Sequence, residues 1–163
     1  MADIDFASIT INLQDIERIA RKLDLLPAFV AGVQAGGVHI KSVMDVYPPS
    51  TDANVPGPYP KRWYERGYGP KWALKAGGVH GRKASETLGR RWTIVAYNNG
   101  LSCRVGNNAT YARPVHDKDR SPSIFARRGW RLIQDVAQDE AGAVRDIVAG
   151  SIRAEIKKRG LAP

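Results

Sequence analysis

Hydrophobic spacing predicts helices toward both ends of the chain. After a short extended lead-in, apolar residues recur at helical spacing, with Asn12 in position to cap the first helix. Pro27 interrupts this pattern and suits the first turn of a second helix. The Tyr47-Pro48-Pro49-Ser50 sequence ends that helix. The apolar residues of the lead-in are Ile9, Ile11 and Leu13. Those of the first helix are Leu13, Ile16, Ile19, Ala20 and Leu23. Those of the second helix are Phe29, Val30, Val33, Val38, Ile40 and Val43.

The second half of the chain predicts a hairpin followed by a long helix. Residues 91–97 are rich in β-branched and aromatic side chains, and Asn98-Asn99-Gly100 favours a turn before a return strand over 101–106. A short turn over 85–88 precedes the hairpin, and a short element over 110–116 follows it. One helix is predicted from about 123 to 159. Its apolar stripe is Phe125, Trp130, Ile133, Val136, Ala137, Val144, Ile147, Val148, Ile152 and Ile156.

The stretch from Tyr47 to Trp92 has no such periodicity. Loops longer than about 12–15 residues are uncommon in compact domains unless they are functional or disordered. We therefore predict a functional extended arm over 47–84, rich in Pro, Gly and aromatic residues. Its rings either pack back onto the domain or order against a neighbouring subunit or partner, and we favour the second interpretation. The predicted arm anchors are Tyr59, Trp63, Tyr64, Tyr68 and Trp72.

The fold class expected from these elements is α+β. N-terminal helices and a long C-terminal helix would pack on a small antiparallel sheet or hairpin, within a single domain over residues 1–163. Three further side chains, Leu88, Trp92 and Tyr111, are predicted to hold the hairpin to the helices and to belong to the subunit or partner interface.

The net charge of +9 is concentrated in the middle of the chain. Residues 61–103 carry nine Lys or Arg against two Asp or Glu. This asymmetry predicts an acidic partner, either nucleic acid or an acidic protein face. Basic residues interleave with aromatic ones, a mixture that can neutralise phosphates and stack on bases in non-specific contact with DNA, but no known nucleic-acid-binding motif occurs. The candidate contacts are Lys61, Arg62, Arg66, Lys71, Lys75, Arg82, Lys83, Arg90 and Arg91.

No residue pattern indicates catalysis. Cys103 is the lone cysteine, which we interpret as a buried, inert thiol in a reducing compartment. His39, His80 and His116 lack the spacing of zinc ligands, and neither a nucleophile elbow nor a phosphate-binding loop is present. We therefore predict no enzyme, no metal and no cofactor. No signal peptide and no apolar run of about 20 residues occurs, so the chain should be made in the cytoplasm without membrane attachment.

The order of these segments resembles a bacteriophage family. A helical N-terminus and the Tyr-Pro-Pro-Ser loop precede Ser85-Glu86-Thr87-Leu88-Gly89-Arg90-Arg91-Trp92-Thr93, and a hairpin then leads into Val105-Gly106-Asn107-Asn108-Ala109-Thr110-Tyr111-Ala112-Arg113-Pro114-Val115. Arg127-Arg128-Gly129-Trp130-Arg131 opens the C-terminal helix. Together these segments resemble the tail-completion (neck) family of long-tailed bacteriophages, whose members are similar to the lambda minor tail protein Z. The resemblance spans about residues 12–158.

The resemblance implies a structural protein of the virion. Copies would form a ring, six in a six-fold tail, at the head-proximal end of the tail. There they would contact tail-tube or terminator proteins and head-connector proteins. They could also make non-specific contact with the genomic DNA that passes through the ring. The resemblance implies neither catalysis nor a cofactor. Two alternatives stay open: a non-specific DNA-binding module that uses the basic middle, and another ring protein of the same connector, such as a tail terminator or stopper.

Overall fold

The computed structural model describes residues 7–9, 11–55, 62, 72–73, 79–80, 88–109, 111–117, 119 and 123–160. The chain forms two compact units, each built from three separate stretches. The helical unit comprises Ser8–Val43, Thr93–Gly106 and Ile133–Pro163. The basic unit comprises Met1–Ala7, Met44–Trp92 and Asn107–Leu132. The single domain expected from the sequence stays a prediction.

The fold is α+β, as predicted, with a long helix near the C-terminus. Two helices come first: α1 (Gln14–Lys22) and α2 (Leu26–Met44). The later helices are α3 (Ala112–His116), α4 (Ser123–Arg127), α5 (Ile133–Asp139) and α6 (Ala141–Lys158). The strands are β1 (Ala7–Ile9), β2 (Trp72–Ala73), β3 (Val79–His80), β4 (Trp92–Tyr97) and β5 (Ser102–Asn107).

The start of the chain follows the sequence prediction closely. The Asn12 side chain accepts a hydrogen bond from the Gln14 backbone N–H at 3.0 Å, although it lies one position before the N-cap residue Leu13. Asp24 lies two residues after the end of α1, and its φ of 53° is in the left-handed region. There the Leu25 N–H bonds to the Ala20 carbonyl, which satisfies one of the free carbonyls of the last turn. Pro27 then falls in the first turn of α2.

The sheet contains the predicted hairpin. Strands β4 and β5 are joined by a 3₁₀ turn over Asn98–Gly100, where Asn98, Asn99 and Gly100 all take positive φ. The short N-terminal strand joins β5, which gives the strand order β1-β5-β4. Strands β2 and β3 form a separate antiparallel pair, in which Trp72 lies opposite His80. This pair lies within the stretch predicted as an extended arm.

The single helix predicted from about 123 to 159 is wrong. Gly129 has a φ of 83°, and it ends α4 with two bonds: from its own N–H to the Ala126 carbonyl and from the Trp130 N–H to the Phe125 carbonyl. This pair of bonds is the usual glycine-terminated helix end. A second interruption at Glu140 separates α5 from α6. The Arg-Arg-Gly-Trp sequence contained the stop signal, but the apolar spacing continued across it.

Close backbone approach shapes the core of the helical unit. A Cβ atom on Gly37 would lie 2.8 Å from the Cys103 sulfur, and one on Gly36 would lie 3.0 Å from Val144. The two glycines therefore allow α2 to pack tightly, although they lower its intrinsic helix propensity. The buried side chains around them are aliphatic apart from Phe29: Ala20, Leu25, Val33, Ile40, Val105, Ile133, Val136, Val144, Val148 and Ile152.

Candidate partner-binding arm and its base

Asn54 fixes the first residues of the arm onto the basic unit. Its side chain is fully buried, and its amide makes three hydrogen bonds. The Asn54 Oδ1 accepts from the Thr51 N–H at 3.0 Å, while Nδ2 donates to the carbonyls of Pro49 at 2.7 Å and Arg128 at 3.1 Å. A buried amide is stable only when its donors and acceptors are paired. Residues 49–54 are thus part of the packed unit.

Tyr47 connects the beginning of the arm to the residues that follow it. Its hydroxyl accepts a hydrogen bond from the Gly89 N–H at 3.1 Å, and its ring lies edge-on to Trp130 with centroids 5.5 Å apart. A Cβ on Gly89 would lie 2.8 Å from the Asp45 carbonyl oxygen and 2.9 Å from the Tyr47 ring. Glycine is therefore required at 89, and a direct contact joins the two described ends of the predicted arm.

Segments that are distant in sequence meet in one hydrophobic cluster within the basic unit. The buried Asn107 side chain donates to the Leu88 carbonyl at 2.7 Å and accepts from the Ala109 N–H at 2.9 Å. The buried members of the cluster are Leu88, Ala109, Ala112, Val115 and Trp130, and Tyr47, Tyr111 and Phe125 pack against it.

The predicted interface role of Leu88 and Trp92 stays a prediction, although both side chains are buried within one copy. Leu88 and Trp92 are each only 2% exposed, so within one copy their side chains belong to the interior. Tyr111 is partly buried against the same cluster. These residues carry the family resemblance, and burial gives a physical reason for their apolar character. Packing of their own unit requires them, whereas a subunit interface needs accessible side chains.

His116 is an unexpected member of this region. It is 1% exposed, and its ring lies edge-on to Trp92 and Trp130 at centroid distances of 5.3 and 5.5 Å. Its Nδ1 lies 2.8 Å from the Arg131 carbonyl, so Nδ1 carries the proton and donates. Burial lowers the His116 pKa, and the hydrogen bond to Arg131 offsets this in part. Among the described residues, neither the His116 Nε2 nor the Trp92 Nε1 has a hydrogen-bond partner.

Most of the predicted arm contacts lie outside the described residues. These are the rings Tyr59, Trp63, Tyr64 and Tyr68 and the cations Lys61, Arg66, Lys71, Lys75, Arg82 and Lys83. The backbone of Trp72 belongs to β2. The Arg62 guanidinium donates to the Pro48 carbonyl, which ties it to the first residues of the arm. Arg90 and Arg91 are exposed and remain candidates for contact with an acidic partner.

The helical unit contains a half-open cavity of about 660 Å³. Cys103 lines it, and the Cys103 thiol donates to the Val33 carbonyl with a sulfur–oxygen distance of 3.4 Å. Partial burial raises the pKa of this thiol, which lowers its thiolate fraction at neutral pH. The sequence predicted a buried, inert thiol, and the structure shows Cys103 partly buried. The remaining walls include Gly36, Gly37, Ile40, Val105 and Val144.

The described part of the chain shows neither a metal-binding cluster nor a membrane-spanning helix. No group of three or more His, Cys, Asp or Glu side chains is arranged to hold a metal ion there. None of the helices described above is long and apolar enough to cross a membrane.

Comparisons with known proteins add no relative. The chain matches no protein-family model, no curated protein and no solved structure.

Proposed function

We propose that this chain is a structural protein of a long-tailed bacteriophage or prophage. In this proposal it completes the head-proximal end of the tail, forms a ring of identical copies there and helps to join the tail to the head. The sequence segments that resemble the tail-completion family motivate the proposal. The alternative of another ring protein in the same connector differs only in the layer that the ring occupies.

The observation that carries the proposal is the closed base of the arm. Tyr47 and Gly89 are hydrogen-bonded across the loop, and Asn54 holds the outgoing chain through three bonds. A long loop with rigid ends presents its residues from a defined place on the surface, which reduces the entropy lost when a partner binds. A ring requires each copy to offer one patch to a different patch on the next. An anchored aromatic arm supplies one such patch.

The test is genetic complementation in the phage or prophage that encodes the chain. Deleting the gene should leave heads and tails that fail to join, as seen by electron microscopy, and the wild-type gene should restore infectious particles. A five-ring variant changes Tyr59, Trp63, Tyr64, Tyr68 and Trp72 to Ser. It should lower the particle yield at least about tenfold, because a lost anchor residue typically costs about 2 kcal/mol or more.

A matched control changes the same five residues to Phe, which keeps an aromatic ring at each position but removes the polar group. This control should retain most of the yield if ring packing is what matters. Both proteins should keep the thermal unfolding midpoint of the wild type, since the arm would act outside the packed base. Complete, infectious particles from the deletion phage would overturn the proposal.

A second candidate function is non-specific DNA binding. The basic unit holds fifteen Lys or Arg against eight Asp or Glu, and Arg90 and Arg91 are exposed on it. Phosphate contacts make affinity fall steeply with salt. Tight binding of duplex DNA at low salt that is lost as salt rises, and that weakens when Arg90 and Arg91 are changed to Gln, would favour this alternative.

A further inference from the structure

Strand β4 lies at an edge of its sheet. Among the strands described, β5 is its only neighbour, since the sheet order is β1-β5-β4. Its burial falls from Trp92, which is buried, to the last three residues, which are all exposed. Val95 is 46% exposed and Tyr97 is 43% exposed. Residues 95–97 therefore present exposed side chains on a sheet edge that no other described strand covers.

Strand β4 itself lacks the features that usually prevent strands from pairing, although the Arg104 guanidinium of β5 lies 5.2 Å from the centroid of its Tyr97 ring. Natural sheets protect an open edge with charged residues, proline, bulges or very short strands. The six residues Trp92–Tyr97 include no charged residue, no proline and no glycine, and they are rich in side chains that favour strands. Such a strand is expected to be covered by another chain when the protein is at work.

The partner of this edge can be identified from the charge distribution. The protein has a net charge of +9, but the helical unit carries ten Lys or Arg against eight Asp or Glu, and residues 93–97 are uncharged. An anionic partner would be attracted to the basic unit instead. Two copies can approach each other through β4 with little electrostatic repulsion. Open backbone hydrogen-bonding groups also select an extended strand as the occupant.

We propose that β4 pairs with β1 of a second copy, so that the sheet continues from one copy to the next. The three-stranded sheet has two edges, β4 and β1. Pairing of β4 with β1 covers one edge on each copy and repeats head to tail, whereas pairing of β4 with β4 leaves every β1 edge open. Head-to-tail contacts close into rings when the rotation allows it. That the paired copies close into a ring rests on the proposed function, but the pairing of β4 with β1 can be tested separately.

The first test compares two lysine variants of the purified full-length protein. Val95→Lys adds a charge to the exposed edge, whereas Val38→Lys adds the same charge at a position on α2 that is 58% exposed. Sedimentation equilibrium should show concentration-dependent self-association of the wild type. Val95→Lys should weaken it at least about tenfold, because an unpaired charge opposed across an interface is costly. Val38→Lys should associate like the wild type.

Both variants should keep the wild-type unfolding midpoint, since both positions are exposed. A wild-type protein that stays monomeric at high micromolar concentration would overturn the pairing, as would a Val95→Lys protein that associates normally. Normal association of Val95→Lys, combined with failure of the five-ring variant in complementation, would reject this inference and leave the proposed function standing.

A second test identifies the strand that meets β4. In a Cys103→Ala background, Val95→Cys is combined with Ser8→Cys or with Ile9→Cys, so that two registers are sampled. Mild oxidation should link copies into a ladder of dimers, trimers and larger species with one of the two pairs. A separate Ala96→Cys variant forms a disulfide-linked dimer only when two β4 strands meet. Efficient dimer formation by Ala96→Cys, without a ladder from either pair, would overturn the head-to-tail arrangement.

Discussion

The two units of this protein are stabilised by different kinds of interaction. The helical unit is built from aliphatic side chains and from close contacts at glycine, such as Gly32, Gly36 and Gly37. The basic unit buries polar groups, with Asn54, Asn107 and His116 each hydrogen-bonded to the backbone of another segment. The first unit is therefore sensitive to side-chain volume, and the second to the loss of individual hydrogen bonds.

This difference follows from the secondary structure of each unit. Regular helices satisfy their own backbone groups, so only their apolar faces need partners. The basic unit contains irregular segments such as 47–55, whose backbone groups need other partners. Buried amide and imidazole side chains supply several of them. An irregular segment that is ordered in this way can anchor an arm along its length. A pair of regular helices can anchor an arm only where the helices end.

The largest effect is expected for Asn54→Ala. Removal of the amide leaves the Thr51 N–H and the carbonyls of Pro49 and Arg128 without this partner. We expect a loss of about 3 kcal/mol in the free energy of unfolding, measured by urea denaturation. Asn12→Ala is the control, since Asn12 makes a single exposed helix-capping bond and should cost about 0.5–1 kcal/mol. Equal losses for the two variants would contradict the distinction drawn between the units.

The next effect is a pH dependence that originates at His116. Because burial lowers its pKa in the folded state, the unfolded state binds more protons as the pH falls below about 6.5. Stability should therefore fall by up to about 1.4 kcal/mol per pH unit as the pH is lowered from about 6.5 towards the depressed pKa of the folded state. His116→Phe cannot take up this proton, so its stability should change less over the same range. Parallel pH profiles for the wild type and His116→Phe would refute this origin.

The smallest effect is a pair of glycine substitutions with opposite signs in the helical unit. A Cβ on Gly32 would lie 2.9 Å from the Val148 Cα, whereas a Cβ on Gly150 would meet no atom within 4 Å. Gly32→Ala should destabilise by about 1 kcal/mol, because overpacking outweighs the gain in helix propensity. Gly150→Ala should stabilise by about 0.5–1 kcal/mol. Thermal unfolding measures both, and a stabilised Gly32→Ala would argue against tight packing of α2 on α6.

Local signals in the sequence were sufficient for much of the helical unit. Helical spacing and Pro27 placed α1 and α2, and Asn98-Asn99-Gly100 placed the hairpin turn, because these features act over a few residues. The prediction of one helix over 123–159 was wrong, since the glycine stop at 129 was outweighed by apolar spacing on both sides. The burial of Leu88 and Trp92 within one copy was not predicted, because a sequence cannot distinguish a buried aromatic or aliphatic residue from one exposed at an interface.

The sequence by itself determined the α+β class, the hairpin, the uneven charge and the position of the long proline-rich and aromatic stretch. Each of these depends on composition or on neighbours a few residues apart. Only the tertiary structure decided that Tyr47 meets Gly89, that Asn54 reaches Arg128 and that His116 lies between two indole rings. These contacts join residues 14 to 74 positions apart, and their partners are selected by packing of the whole unit, which no local pattern encodes.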